Sequence, residues 1–221
     1  HLYEIGRSLH SLQNSFDQRE LQRRYDHIHR HLDVRGARTQ LSTIGNAGFQ
    51  ALLERLDDLN IIVGADTLLP DDAARALPRF GLTLVLPGRR PLIWLNLLKH
   101  TDAITLIDTV AHEAIHATVG ILGRHRQTPQ PINELAYHAE EIVALSGANW
   151  ILKRIQAPAD HQIAENLAAI GHHEETLIAL GSSRAFLQQK DAEGVAAAKF
   201  LMELHLIEVA APTLAELNAR P

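Results

Sequence analysis

The residues best suited to chemistry lie in one short segment, His112-Glu113-Ala114-Ile115-His116, which has the pattern HExxH. Residues four positions apart lie on one face of a helix, so the imidazoles of His112 and His116 can reach the same ion. Neutral imidazole suits zinc, and the adjacent Glu113 can accept a proton from water activated by that ion. The segment therefore predicts a zinc site with Glu113 as its catalytic carboxylate.

The sequence around this motif predicts a largely buried helix. Its apolar positions are Ile104, Ile107, Val110, Ala111, Ala114 and Ile115. Burying two imidazoles and a carboxylate in such a helix costs several kcal/mol unless another group pairs with them, and a metal ion is the simplest partner. The chain contains no cysteine, so any ligands must be imidazoles and carboxylates. With 14 histidines in the chain, a chance match to HExxH is the alternative.

A third ligand is needed, and the next predicted helix offers three glutamates. Glu134 and Glu141 are seven residues apart and share a face, whereas Glu140 is turned by about 100° from Glu141. Glu141 is followed by Ala144 and Ala148, small residues that permit close helix approach, so we predict Glu141 as the third ligand. Glu134 and Glu140 are the alternatives; otherwise Glu134 complements the positive end of its helix and Glu140 is solvated.

The sequence HEAIHATVG followed by YHAEEIVALSGANWIL, within residues 91–150, resembles the metallopeptidase-like domain of ArdC-type antirestriction proteins and of polyvalent proteins of plasmids and phages. The resemblance implies a zincin-like fold, with His112 and His116 as zinc ligands, Glu113 as the catalytic carboxylate and Glu141 as the third ligand. The sequence is more broadly similar to glutamate-zincins such as the ImmA/IrrE-type peptidases, which implies the same ligands.

Several neighbouring residues have two interpretations each. Asp108 lies one turn before His112 and is either a carboxylate that orients this imidazole or a partly exposed helix residue. Tyr137 is either a core residue or a donor to an oxyanion. The segment 172–175, His-His-Glu-Glu, follows a predicted helix break at Gly171, so a solvated turn is expected rather than a second metal site.

The hydrophobic periodicity predicts an α+β fold that is mainly helical. Helices are expected at 17–32, 46–60, 101–122, 133–157, 160–170 and 183–209, and strands near 61–63, 82–86 and 92–96. The last two strands should form a hairpin, and the strand at 92–96 would hold an extended substrate if one of its edges were free. We divide the chain into an N-terminal helical region, 1–60, and a zincin-like domain, 61–221.

Composition excludes several classes of protein. The chain has 221 residues, 46% of them hydrophobic, with a net charge of −5, so it is neither disordered nor basic overall. Residues 19–38 carry six arginines and three acidic residues, which indicates a solvated helix face or, alternatively, a phosphate contact. The lack of cysteine, signal peptide and long apolar run favours the cytoplasm and no membrane partner. Because the sequence starts at His1, we expect a piece of a longer protein.

These features together predict a zinc-dependent peptidase that acts on a protein or peptide substrate, in a mobile-element or defence context. One alternative is a catalytically silent zincin-like domain that binds protein or DNA. Another is a fragment of a metalloprotease toxin or effector.

Overall fold

The computed structural model describes residues 47–65, 80–85, 89–96, 100, 102–121, 134–154 and 158–218, together with residues 26, 30 and 34. Its elements in chain order are α1 (Ala47–Asp58), β1 (Ile62–Ala65), β2 (Gly81–Leu84), β3 (Leu92–Leu95), α2 (Ala103–Ile121), α3 (Glu134–Leu152), α4 (Asp160–Ala179) and α5 (Arg184–Asn218). The described residues are mainly helical with a small sheet, which confirms the predicted α+β class.

The sheet has the strand order β1-β3-β2. β2 and β3 are antiparallel, with Leu84 opposite Leu92, as expected for the predicted hairpin. β1 is parallel to β3, with Ile62 opposite Leu92. Because β3 is paired along both edges, it has no free edge to hold a substrate, and of the two alternatives the strand is interior sheet.

Helix α2, which carries the HExxH segment, lies between the sheet and α3. It begins after Asp102, whose carboxylate accepts hydrogen bonds from the backbone N–H and the hydroxyl of Thr105, both at 2.8 Å. This cap satisfies a backbone donor that has no partner within the helix. The inner face of α2 is almost completely buried, which fixes the orientation of its polar residues.

Helices α4 and α5 pack against α3. The predicted break at Gly171 is wrong, because α4 continues from Asp160 to Ala179. Gly181 lies two residues after the end of this helix, and its φ of 91° favours glycine. The position of Gly171 inside the helix is open, since an added Cβ would meet nothing within 4 Å.

The N-terminal part is described only in places. Helix α1 contributes the buried Leu52 and Leu56 to the same hydrophobic core as α2 and α3. Of the helix predicted over 17–32 and the arginine-rich segment 19–38, residues 26, 30 and 34 are described, and all three are helical. The division of the chain at residue 60 stays a prediction. Among the helices that the structure describes, none has the length and apolar character of a membrane span.

Candidate metal centre

The candidate site lies between α2 and α3, which approach each other closely because the residues between them are small. Ala114 on α2 and Ala144 and Ala148 on α3 are fully buried. Gly147 is also required, since a Cβ at this position would lie 2.7 Å from Cγ1 of Ile115. Sequence reasoning identified the two alanines of α3 but missed this glycine.

The three predicted ligands come together. Nε2 of His112 lies 3.1 Å from Nε2 of His116 and 3.5 Å from Oε2 of Glu141, and Nε2 of His116 lies 3.7 Å from Oε1 of Glu141. Ligand atoms bound at 2.0–2.1 Å to one tetrahedral zinc ion are about 3.3 Å apart. His112, His116 and Glu141 therefore form a group that could hold a metal ion.

Glu140 also belongs to the site, although we expected it to be solvated. Its Oε1 accepts a hydrogen bond at 3.0 Å from Nδ1 of His116, and its side chain is only 23% exposed. This bond places the proton of His116 on Nδ1 and leaves Nε2 directed towards His112 and Glu141. Carboxylates commonly orient metal-binding histidines in this way. Glu141 thus offers a carboxylate that could bind a metal ion, and its neighbour Glu140 orients the imidazole of His116.

The charges of the site strongly perturb its protonation in the absence of a metal ion. Burial by itself raises the pKa of Glu141, but the hydrogen bond from His112 and the charges of His112 and His116 lower it to about 2. Burial by itself lowers the pKa of His116, but the hydrogen bond to Glu140 and the negative charges of Glu141, Glu140 and Glu113 raise it to about 9. The carboxylates of the site therefore strongly favour a positively charged group next to them.

Glu113 is turned by about 100° from His112 around α2, contacts the sheet, and is 9% exposed. Oγ1 of Thr83 on β2 lies 2.6 Å from Glu113 Oε2 and 2.9 Å from the Glu113 backbone oxygen. An added Cβ at Gly81 would lie 3.0 Å from Glu113 Cγ and 2.7 Å from Thr109 Cγ2. β2 therefore holds the Glu113 carboxylate in one position, a role that sequence reasoning missed because no local motif links Thr83 to α2.

Asp108 is held by α4. Its Oδ1 accepts a hydrogen bond at 2.7 Å from Nδ2 of Asn166, which also lies 2.9 Å from Oδ1 of Asn149 on α3. Burial raises the pKa of Asp108, and the hydrogen bond from Asn166 and the charge of His112 oppose this shift. Asp108 therefore links α2 to α3 and α4, and its effect on His112 is electrostatic.

A second pair of imidazoles lies beside the site. Nδ1 of His138 on α3 is 2.7 Å from Nδ1 of His173 on α4, and the ring of Tyr137 packs edge-on against the His138 ring at 5.1 Å. The expected solvated turn at 172–175 is wrong, because His173 is half-buried within a continuous helix. Sequence reasoning considered the segment 172–175 but missed His138, because His138 and His173 are 35 residues apart in the chain.

Glu134, the other alternative ligand, begins α3, but its side chain lies outside the described part of the chain. The structure therefore brings together the ligands favoured by the sequence and adds Glu140 and Thr83 around them. Comparisons with protein-family models, with curated proteins and with solved structures found no match to this chain.

Proposed function

We propose that the protein is a zinc-dependent peptidase of the zincin-like class. The observation that carries the proposal is the convergence of His112, His116 and Glu141 within 3.1–3.7 Å, next to a buried Glu113. Two imidazoles and one carboxylate are the ligand set of several catalytic zinc sites, which keep a further position open for water or substrate. A bound zinc ion would polarise a peptide carbonyl and make a water molecule more acidic.

Glu113 is proposed as the general base of this reaction. It is close enough to the ligands for its negative charge to contribute to the raised pKa of His116. In the proposed reaction its carboxylate accepts a proton from the attacking water and then donates this proton to the departing amine. The contact with Thr83 restricts the rotation of the Glu113 side chain, so less orientational freedom is lost when the transition state forms.

The proposed substrate is a protein or peptide bound in an extended conformation along β2. Among the described residues, β2 pairs with β3 alone, and it contacts Glu113 through Thr83. Backbone groups on an unpaired strand edge can add a peptide as a further strand. A mobile-element or defence context rests on the resemblance of the HExxH and YHAEEIVA segments to ArdC-type domains.

The proposal is tested by metal analysis and hydrolysis of a quenched-fluorescent peptide library. His112→Ala and Glu141→Ala should each lose the zinc ion and hydrolysis together. Glu113→Gln should keep the ion and lose hydrolysis, whereas Glu203→Gln, which changes an exposed glutamate on α5, should keep both.

Two results would overturn the proposal. Hydrolysis retained in Glu113→Gln would remove this residue from the mechanism. Zinc bound by the wild type without cleavage of any library peptide would favour a metal-dependent binding domain instead.

A further inference from the structure

The imidazoles of His138 and His173 are pre-arranged by the packing of two helices. His138 is 9% exposed and lies on α3, one turn before Glu141, whereas the half-buried His173 comes from α4. The Tyr137 ring is 5.1 Å from the His138 ring and 6.0 Å from the His173 ring, with both contacts edge-on. Because the backbones that carry both rings are helical and packed, the two Nδ1 atoms need little rearrangement to face a common ligand.

The surroundings keep His173 neutral. Burial lowers its pKa to about 4, and the nearby His138, His172 and His112 act in the same direction, while the carboxylate of Glu141 opposes them. A neutral imidazole has a lone pair available for a metal, and at pH 7 protons do not compete for it. The negative charge of Glu141 also favours the positive charge of an ion bound beside His173.

We propose that His138 and His173 form a second binding site for a divalent transition-metal ion, next to the group formed by His112, His116 and Glu141. The two Nδ1 atoms are 2.7 Å apart. Nitrogens bound at right angles to one ion at 2.0–2.1 Å are about 2.9 Å apart, which favours six-coordinate or square-planar ions such as Ni²⁺ and Cu²⁺. Water or substrate would complete the coordination.

The competing explanation is an ordinary hydrogen bond. Two neutral imidazoles at this distance can share one proton, in which case Nδ1 of one ring donates and Nδ1 of the other accepts. The two explanations differ in the number of ions that the protein binds, and this number does not depend on whether the protein cleaves peptides.

The test is a titration of metal-free, tag-free protein with Ni²⁺ at pH 7.5, followed by calorimetry. We expect the wild type to bind two equivalents with dissociation constants of about 10 µM or tighter. His173→Gln and His138→Gln should each bind one equivalent, and His112→Ala should lose the other one. Circular dichroism checks that each variant is folded, and the half-buried position of His173 makes its variant the more tolerant of the two.

The matched control is His161→Gln. His161 is 87% exposed and pairs with Glu165 one turn later, so it is an accessible alternative site for a weakly bound ion. This variant should still bind two equivalents. The proposal is overturned if the wild type binds one equivalent, or if the second equivalent is lost in His161→Gln and kept in His173→Gln. If His112→Ala loses one equivalent and keeps the other, the ion held by His138 and His173 binds independently of the group formed by His112, His116 and Glu141.

Discussion

Nδ1 of His116 donates a hydrogen bond to Oε1 of Glu140 over 3.0 Å, while Nε2 of the same ring faces His112 and Glu141. Two consecutive glutamates on α3 thus serve one imidazole in different ways. Glu141 lies beside the nitrogen that is free to bind a metal, and Glu140 fixes the proton on the opposite nitrogen. This relationship leads to the first of four predictions.

Glu140→Gln should lower the affinity for zinc by about 10-fold to 100-fold, because the neutral amide is a poorer acceptor and makes the imidazole less basic. Affinity can be measured by competition with a chromophoric chelator. Glu203→Gln, an exposed position on α5, is the control and should leave the affinity unchanged. An unchanged affinity in Glu140→Gln would show that its bond to His116 plays no part in metal binding.

The metal-free protein should lose stability as the pH rises from 6.5 to 9, because of His116. Its pKa is raised from 6.5 to about 9, so the stabilisation is complete below 6.5 and disappears as the pH passes 9. The contribution of His173 to stability has the opposite sign. Because its pKa is lowered, the folded protein loses stability as the pH falls from 6.5 to about 4.

The contribution of His116 can be isolated by urea unfolding of the wild type and His116→Gln across this pH range. The difference in free energy of unfolding should be largest below pH 6.5 and should shrink towards pH 9. A difference that grows with pH would contradict the assigned direction. For Glu141→Gln, the difference in free energy of unfolding from the wild type should instead shrink as the pH falls. The lowered pKa of Glu141 stabilises the folded protein above pH 4.5, and this stabilisation is lost as the pH falls through about 2.

Thr83→Val should lower kcat for a cleaved peptide by about 10-fold to 100-fold, because a misplaced Glu113 carboxylate slows the chemical step. Zinc binding should not weaken, since Thr83 does not contact the proposed zinc ligands. Valine keeps the shape of threonine but removes the hydroxyl that holds Glu113. Thr83→Ser restores this hydroxyl and should recover most of the activity. A change in KM alone would instead assign Thr83 to substrate binding.

Gly194→Ala should destabilise the protein by about 3 kcal/mol, since the added methyl group would overlap the backbone oxygen of Val143 and force α3 and α5 apart. Gly171→Ala is the matched control, because it lies within α4 in open space and should stabilise the protein by about 0.5–1 kcal/mol. Chemical denaturation of both variants measures these values. Equal stability of the two variants would mean that the helices adjust without cost.

The local features of the site could be predicted from sequence alone. The four-residue spacing of His112 and His116 requires a shared helix face, and the apolar residues around them require that helix to be buried. The antiparallel pairing of the adjacent strands β2 and β3 also follows from a local pattern, and the structure confirms it. Ala144 and Ala148 indicated which glutamate of α3 would face α2.

Tertiary structure alone decided which distant residues surround these groups. Thr83 reaches Glu113 because the edge of the sheet packs on α2, and His138 meets His173 because α3 and α4 pack together. Glu140 illustrates the limit most clearly: rotation by about 100° along an isolated helix indicates a solvated side chain, but the crossing of α2 places His116 within its reach. Helical periodicity specifies the face on which a residue lies, whereas the relative placement of packed helices specifies what that face contacts.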